Sequence, residues 1–202
     1  ALVEKSGIPA AWTLLGLSAM PTDHPLNVGM VGMHGNYGPN VLTNECDVLI
    51  ALGMRFDDRV TGNLATYAKQ AKVIHFEIDS AEVDKNVKTT VAVLADLKES
   101  LTALLPLIEK NSHESWHNEF KEKYKIELEA VINDELKPKK EGISMGETIE
   151  MINKHSKGDA IMVSDVGQHQ MFTCRYSKFN QTKSNITSGG LGTMGFALPA
   201  AI

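Results

Sequence analysis

The chain has 202 residues, of which 43% are hydrophobic and 22% are charged, and its formal net charge at pH 7 is -5. This composition is typical of a folded protein with one full domain and part of a second. The negative charge argues against nucleic acid and anionic membrane surfaces as partners, and no apolar stretch approaches the ~20 residues of a membrane-spanning helix. Two distant cysteines, Cys46 and Cys174, favour a reducing compartment and hence the cytoplasm.

Both ends of the sequence are typical of interrupted structure. Residues 1–6 resemble the tail of a helix that Gly7 ends, and residues 196–202 stop inside an apolar, helix-like run. We therefore expect the chain to be an internal piece of a longer protein.

The first half of the chain predicts a parallel α/β domain. Four short apolar runs predict buried strands, over residues 10–15, 48–52, 73–78 and 91–95. Because these runs are continuous instead of alternating, we expect a Rossmann-like parallel sheet covered by helices on both faces. A segment rich in proline and glycine predicts a loop over 20–39, and Asp96 predicts a helix start. We place this domain over residues 1–110.

A helical connector is predicted next, over residues 111–143. The amphipathic helix at 115–132 has a hydrophobic stripe of Trp116, Phe120, Tyr124, Leu128 and Val131. A charged linker over 133–143 follows it. Ser144 and Glu147 then form a capping box, and a strand is predicted over 160–163. The α/β pattern has restarted, so we place the beginning of a second domain over residues 144–202.

Glycine and charged residues follow three of the predicted strands: Gly53, Arg55, Asp58, Glu77 and Asp96. In open parallel sheets, ligands bind beyond the carboxyl ends of the strands. Glycine permits close approach of a ligand, an arginine fork suits a pyrophosphate, and a carboxylate suits a ribose diol. This pattern predicts a dinucleotide site. The alternative, a surface ion-pair cluster that includes Arg59, stays open.

Three further motifs have structural alternatives. Gly190, Gly192 and Gly195 match GxGxxG, but a dehydrogenase fingerprint needs an acidic residue ~20 positions later, and a glycine turn for close packing is the alternative. Residues 165–170 could hold a phosphate at a helix start, or His169 could pack locally. Residues 113–117 match HExxH, but this run opens an amphipathic helix, so we predict no metal site.

Five blocks occur in the order of one enzyme family: Val31–Gly35, Gly53–Gly62, Ile78–Glu82, Val166–Met171 and Ser188–Phe196. Together they resemble the catalytic subunit of acetohydroxyacid synthase, also called acetolactate synthase, which depends on thiamine diphosphate. The RFDDR run in the second block and the VGQHQM run in the fourth are the most specific. The resemblance covers nearly the whole chain and is weakest over residues 109–143.

The resemblance implies a subunit of three α/β domains, of which this chain holds most of the middle, FAD-binding domain and the opening of the thiamine diphosphate domain. One departure is Ala95, where the family usually has glycine. The positions that would line FAD are Thr13, Leu14, Val31, Gly32, Met33, His34, Gly53, Met54, Arg55, Asp58, Val60, Glu77, Ile78 and Asp96.

The resemblance also implies a thiamine diphosphate site at Val166, Gly167, Gln168, His169, Gly192 and Met194. Gln168 and Met194 would position that cofactor, and Arg59 would face the substrate channel. The parent enzyme decarboxylates pyruvate and condenses the hydroxyethyl unit with a second 2-oxo acid, pyruvate or 2-oxobutyrate, in branched-chain amino acid biosynthesis. The ligands of Mg²⁺ and an essential glutamate would lie outside this chain, so we expect the fragment to be inactive.

The family implies a homodimer or tetramer of catalytic subunits, with a regulatory subunit as a further partner. Three alternatives stay open. One is another FAD-containing thiamine diphosphate enzyme, of the pyruvate oxidase or glyoxylate carboligase type. The second is a nucleotide-binding module without catalysis, and the third is an NAD dehydrogenase.

Overall fold

The computed structural model describes residues 1–137 and 141–202, so part of the predicted linker over 133–143 lies outside the described residues. Three short parallel sheets form its framework, which confirms the predicted parallel α/β fold. The strands are β1 (Ala10–Trp12), β2 (Asn27–Met30), β3 (Val48–Leu52), β4 (Lys72–Glu77), β5 (Val91–Leu94), β6 (Met162–Ser164) and β7 (Asn185–Thr187). Strands β1 and β2 form the first sheet, β3, β4 and β5 form the second in that order, and β6 pairs with β7.

Helices surround these sheets: α1 (Leu2–Ser6), α2 (Tyr37–Thr43), α3 (Asp58–Thr61), α4 (Leu97–Leu104), α5 (Glu114–Glu127), α6 (Asn133–Leu136), α7 (Met145–Ser156), α8 (Gln168–Tyr176) and α9 (Ala197–Ala201). Two predicted helix starts are confirmed. The Asp96 carboxylate accepts hydrogen bonds from the amides of Lys98 and Glu99 at 2.9 and 3.1 Å, and Ser144 and Glu147 form the capping box. Among the described residues, no helix has both the length and the apolar composition needed to cross a membrane.

The strand register brings the ends of the central sheet together. Leu52 of β3 lies beside Phe76 of β4, and Glu77 of β4 lies beside Leu94 of β5. The three strands therefore end at one edge, as the dinucleotide prediction requires. The main core cluster lies against this sheet and consists of Ala51, Phe56, Tyr67, Ala68 and Val73.

The predicted loop over 20–39 is wrong in part, because it contains β2 and the start of α2. Residues 27–30 include asparagine and glycine, which disfavour strands, and their pairing with β1 overrides that preference. The first strand is also shorter than predicted, since a 3₁₀ turn begins at Leu14. Coverage of both sheet faces is incomplete: Val91 and Leu94 of the edge strand β5 are half-exposed.

The connector helix buries a different face from the predicted one. Tyr124 is half-exposed, whereas Glu127 and Ile132 are buried. A π-helical segment, Leu128–Ile132, follows α5 and changes the angular position of each later residue, so Ile132 points inward in place of Val131. The predicted hydrophobic stripe was wrong at Val131, which lies in the π-helical segment, and also at Tyr124, which precedes it, while the buried side chain at 127 is a carboxylate.

Candidate functional site

A cleft of about 360 Å³ lies between the loop after β2 and helix α3. We call it the main cleft. The amide of Met33 donates a hydrogen bond of 2.7 Å to the carbonyl of Arg59, which fixes the two walls against each other. The structure thus brings together residues from two sequence blocks that were predicted to form one site. The lining residues are Val31, Gly32, Met33, Asn40, Thr43, Asn44, Asp58, Arg59, Val60, Thr61, Gly62 and Tyr67.

Gly32 is required by the shape of this cleft. Its φ is +106°, and an added Cβ would lie 2.9 Å from the carbonyl oxygen of Arg59. Asn40, from α2, donates to the Gly32 carbonyl at 2.9 Å and accepts from the Gly32 amide at 2.8 Å. The wall is therefore held by the backbone and one carboxamide, and it has no room for a side chain at this position.

Phe56 anchors the segment that carries Arg55, Asp58 and Arg59. Its side chain is buried in the core, and its ring stands edge-on to Tyr67 at 6.3 Å between centroids. Its φ of +53° is rare for a residue with a side chain. The core thus fixes an unusual backbone turn directly after β3, and this turn directs the neighbouring charged residues outward.

The charged residues of this segment form fewer ion pairs than a surface ion-pair cluster, the alternative to a dinucleotide site, requires. Arg55 Nε lies 3.3 Å from Asp57 Oδ2, and Asp57 also caps α3 by accepting from the Arg59 amide at 3.0 Å. Within the described residues, neither Asp58 nor Arg59 has an ion-pair partner within 4.0 Å. Both line the main cleft instead.

Other predicted flavin positions lie along the edge where the central strands end. Gly53 donates its amide to the Phe76 carbonyl at 2.8 Å, and space is open where its side chain would stand. Ile78 is 71% exposed, and Asp96 lines a second, more open depression of about 660 Å³. These positions form a continuous edge because their strands are parallel and in register.

Glu77 is turned back onto its own backbone at this edge. Its Oε1 accepts hydrogen bonds from the amides of Ile78 and Asp79, at 2.8 and 3.2 Å. Its Oε2 lies 3.7 Å from Nε2 of the fully buried His75, too far for a hydrogen bond. The carboxylate that was predicted to hold a ribose is therefore fixed in place by peptide groups.

Besides Arg55 and the positions at the strand edge, four more predicted flavin positions lie outside the main cleft. Thr13 caps the 3₁₀ turn by accepting from the Gly16 amide, and Leu14 lies against Gly189. Met54 packs against the core cluster, and His34 follows Met33 beyond the cleft wall. Thr13 nevertheless lies near the cleft, because the carbonyl of its neighbour Trp12 accepts a hydrogen bond of 2.8 Å from the amide of Val31.

The predicted thiamine diphosphate residues come together around the start of α8. We call this place the α8 entrance, and define it as residues 165–169 and 191–195. The Asp165 carboxylate accepts from the amides of Val166 at 2.8 Å and Gly195 at 2.9 Å. These peptide N–H groups, chiefly that of Val166, hold the pKa of Asp165 below its usual range. Met194 is 79% exposed, and nothing lies within 4 Å of a Cβ built at Gly192.

The second glycine cluster has a packing role at its start. At Gly189 an added Cβ would collide with the Leu14 side chain, whereas at Gly190 the nearest atom, in Leu15, would lie at an ordinary contact distance of 3.6 Å. Close packing therefore occurs at Gly189, outside the GxGxxG match, while nothing lies within 4 Å of a Cβ built at Gly192 or Gly195. Gly192 and Gly195 have φ values of +67° and +85°, which shape the α8 entrance.

A histidine of the HExxH run contacts the backbone of another segment. Nε2 of His117 lies 2.8 Å from the Gly7 carbonyl oxygen, and His113 precedes α5. In the described parts of the chain, no group of three histidine, cysteine or acidic residues is arranged to hold a metal ion.

Sequence reasoning missed three residues that build these places: Asn40, Phe56 and Asp165. Asp165 was visible as a carboxylate directly after a strand, but the residue it holds, Gly195, is 30 positions away. Nothing local in the sequence indicates that Asn40 contacts Gly32, because the pairing depends on how α2 folds back onto the β2 loop. Phe56 was visible only as part of a charged block.

Comparison with known proteins identifies the chain's family. Residues 1–104 match the model of the thiamine pyrophosphate enzyme central domain, and residues 165–202 match the model of the C-terminal TPP binding domain. The chain is 46% identical over its whole length to the acetolactate synthase large subunit of Lactococcus lactis. It is 41% identical, over 99% of its length, to acetolactate synthase 2, chloroplastic, of Nicotiana tabacum.

A probable acetolactate synthase large subunit of Methanocaldococcus jannaschii is also 41% identical over the whole chain. The chain spans 34%, 30% and 35% of these three proteins, about a third of the length of the curated relatives it matches. The predicted resemblance to the acetolactate synthase large subunit is confirmed, and the chain belongs to the thiamine pyrophosphate enzyme family.

Proposed function

We propose that this chain is part of the catalytic subunit of an acetolactate synthase. Such an enzyme decarboxylates pyruvate and condenses the hydroxyethyl unit with a second 2-oxo acid, pyruvate or 2-oxobutyrate, in branched-chain amino acid biosynthesis. The observation that carries the proposal is the similarity to acetolactate synthases of a bacterium, a plant and an archaeon over the entire chain. The main cleft supports it, because two of the family-like blocks meet there.

FAD fits the main cleft and the adjoining strand edge. A volume of about 360 Å³ lies in the range of small-molecule sites, although it would hold only part of an extended dinucleotide. The open Gly53 position allows the close approach that a flat or bulky ligand needs, and the Gly32 wall is fixed beside it. Arg55 would pair with the pyrophosphate, Val31, Gly32 and Val60 would contact the flavin nucleotide, and Asp96 would lie toward the far end.

Thiamine diphosphate fits the α8 entrance by the same test. Nothing lies within 4 Å of a Cβ built at Gly192, which leaves backbone room for a ligand, whereas the His169 ring fills the space beside Gly167. When bound, the cofactor supplies the carbanion chemistry that decarboxylation requires. Gln168, His169 and Met194 would bind and orient it, and Arg59 would bind substrate near the mouth of the main cleft. Mg²⁺ would be held by residues outside this chain.

The remaining parts of the proposal concern the parent enzyme. Catalytic subunits would assemble as a homodimer or tetramer, with a regulatory subunit as a further partner, in the cytoplasm. The two free cysteines agree with a reducing compartment. The exposure of Met194 and the share of each relative that the chain covers support an inactive fragment that needs the rest of the subunit.

Flavin binding is the first test. The purified chain should quench the fluorescence of FAD to saturation at one FAD per chain. Arg55→Gln should weaken binding on the order of tenfold, because a hydrogen bond to a charged group contributes ~1.5–3 kcal/mol. Lys69→Gln, which removes the same charge from an exposed position away from the cleft, is the matched control. Absence of quenching, or equal affinity of the two variants, would exclude FAD from this site.

Activity is the second test. With pyruvate, thiamine diphosphate, Mg²⁺ and FAD, a protein extended to the full length of the relatives should form acetolactate without hydrogen peroxide. The chain alone should form neither. Peroxide from the extended protein would support an oxidase of the same family. Acetolactate from the chain alone would contradict the proposal that the chain alone is inactive.

A further inference from the structure

We propose that Glu127 and Arg175 are positioning residues that hold the main cleft and the α8 entrance in fixed relation to each other. The proposal rests on the proposed function in so far as these two places are the cofactor sites. It starts from an unexpected burial, since Glu127 lies on a mostly charged helix yet is 4% exposed. A buried carboxylate strongly destabilises a protein unless it is paired and hydrogen-bonded. Its partners therefore matter.

Glu127 serves as the N-terminal cap of another helix. The amide of Tyr37, the first residue of α2, donates to Glu127 Oε2 at 3.0 Å, and Asn36 Nδ2 lies 3.3 Å from Oε1. Asn36 itself provides no side-chain cap for α2. The first amides of a helix need acceptors from outside, and a negative charge there is favourable. Glu127 supplies both from α5, across 90 positions of sequence.

Arg175 brings α8 to the same carboxylate. Its guanidinium pairs with Glu127, and its Nη1 donates to the carbonyl of Gly35 at 3.2 Å. Its Nε donates to the hydroxyl of Tyr176 at 3.0 Å, and that hydroxyl contacts the Glu135 carboxylate. A planar guanidinium with several donors can serve all these acceptors at once, which a lysine cannot do. One side chain thus joins α8, the connector and the β2–α2 turn.

The turn that these two residues hold is bonded to the cleft wall. The amide of Gly35 donates to the Gly32 carbonyl at 2.8 Å, and the amide of Asn36 donates to the Met30 carbonyl at 2.7 Å. The Asn36 carboxamide also accepts from the Met30 amide at 2.9 Å. Both ends of the Val31–Met33 wall are therefore fixed through residues that Glu127 and Arg175 contact.

The other end of the connection is the α8 entrance. Arg175 lies two helical turns, about 10 Å, from the first residue of α8, which is Gln168. A helix transmits the position of one end to the other because its internal hydrogen bonds make it stiff. A change at Glu127 or Arg175 should therefore move both places, although neither residue lines the main cleft or belongs to the α8 entrance.

The test uses hydrogen exchange of the whole chain with the variants Glu127→Met, Arg175→Met and the double variant. Replacing a buried ion pair by apolar residues of similar size is often neutral for stability, so the double variant should fold. Its amides of Gly35, Asn36 and Tyr37 should nevertheless exchange about tenfold or more faster than in the wild type, because charge-assisted contacts are lost. Glu122→Met, at an exposed position of α5, should leave these amides unchanged.

If Glu127 and Arg175 only stabilise the fold and do not position the turn, the result is different. In that case the double variant would recover both stability and wild-type exchange at the turn, which would overturn the proposal. If the methionine variants fail to fold, Arg175→Lys decides, since it keeps the charge but has one donor group. Exchange at Gly35 and Asn36 should rise while that at Tyr37 stays protected, and wild-type exchange at all three would overturn the proposal.

Flavin affinity separates this proposal from the proposed function. If the wild-type chain binds FAD, the double variant should bind it about tenfold more weakly, since small displacements of a binding wall are costly. Unchanged affinity would overturn the positioning role. If the wild-type chain does not bind FAD, the flavin part of the proposed function fails, and the exchange experiment alone decides whether Glu127 and Arg175 hold the turn.

Discussion

The main cleft and the α8 entrance differ in how they are built. The cleft wall at Gly32 is buried, and three hydrogen bonds inside the first half of the chain fix it: two between Gly32 and the Asn40 carboxamide and one from the Met33 amide to the Arg59 carbonyl. At the α8 entrance one carboxylate, Asp165, holds two loops together, and Met194 is largely exposed. The cleft wall is shaped before any ligand arrives, whereas among the described residues the two loops of the α8 entrance are joined to each other through Asp165.

This difference shows what each half can do alone. A wall fixed by its own backbone needs little reorganisation to bind a ligand, which favours affinity. An open loop with an exposed large side chain must gain further contacts before it can hold a cofactor in one orientation. We therefore expect flavin binding to be more independent of the rest of the subunit than thiamine diphosphate binding.

The largest expected effect is that of Gly32→Ala. The φ of +106° is unfavourable for alanine, and its Cβ would approach the Arg59 carbonyl to 2.9 Å. Strain and collision together should lower the free energy of unfolding by about 3 kcal/mol. Urea unfolding followed by circular dichroism measures this change.

Gly192→Ala is the matched control in the other region. Its φ is +67°, and nothing lies within 4 Å of the added Cβ. Only the left-handed backbone is unfavourable, so stability should fall by about 1 kcal/mol. If both variants lose the same stability, the claim that the cleft wall is the more tightly built of the two places is wrong.

The next effect concerns the thiols, one in each half. Burial raises the pKa of Cys174 to about 12, and burial together with the charge of Asp47 raises that of Cys46. The thiolate is the reactive form, and Cys174 is also the more buried of the two. Iodoacetamide at pH 8 should therefore modify Cys46 at least about tenfold faster than Cys174.

Mass spectrometry of the cleaved protein measures both rates, and in urea the two thiols should react alike. The comparison is sharpened by this result, because Cys174 lies on α8. Slow modification would show that α8 is firmly packed although the loops at its start are open. Equal rates in the native protein would mean that the second half opens as a whole. The difference in rigidity between the main cleft and the α8 entrance would then extend to helix α8.

The sequence predicted the elements whose signal is local. Continuous apolar runs at 48–52, 73–78 and 91–95 located the central sheet, and the capping pattern at Ser144 located α7. The strand at 27–30 was missed because its residues form a strand only by pairing with β1. After α5, Val131 was wrongly predicted to face inward because a π-helical segment, which has no clear sequence signal, changes the helical phase there.

The residues of the candidate site were likewise predicted only where their signal is local. Its glycines and charges were named because they follow strands or occur in family-like blocks, as Gly32 and Arg59 do. Asn40 was missed because its hydrogen bonds to Gly32 depend on the fold of α2. Glu127 was missed because a charged residue on a charged helix predicts exposure, and only the tertiary structure shows the buried cap that it provides.

The smallest effect is a local one at Asp165. Its folded-state pKa is lowered from the ordinary value of 3.8, so the charged form is favoured in the folded protein. The restraint on Gly195 is therefore complete above that value and is lost as the pH falls through the lower, folded-state pKa. The amide resonance of Gly195 should titrate with a midpoint below 3.8.

Asp165→Asn should remove that titration. An asparagine has one carbonyl oxygen where the carboxylate has two, so it cannot accept from Val166 and Gly195 as well as Asp165 does. The amide of Gly195 should then exchange faster at every pH, while the amides of the main cleft stay unchanged. Asp159→Asn, just before β6, is the control and should leave the Gly195 titration in place. In the wild type, a Gly195 resonance that titrates at or above pH 3.8 would mean that Asp165 does not hold the α8 entrance. Another residue would then have to join its two loops.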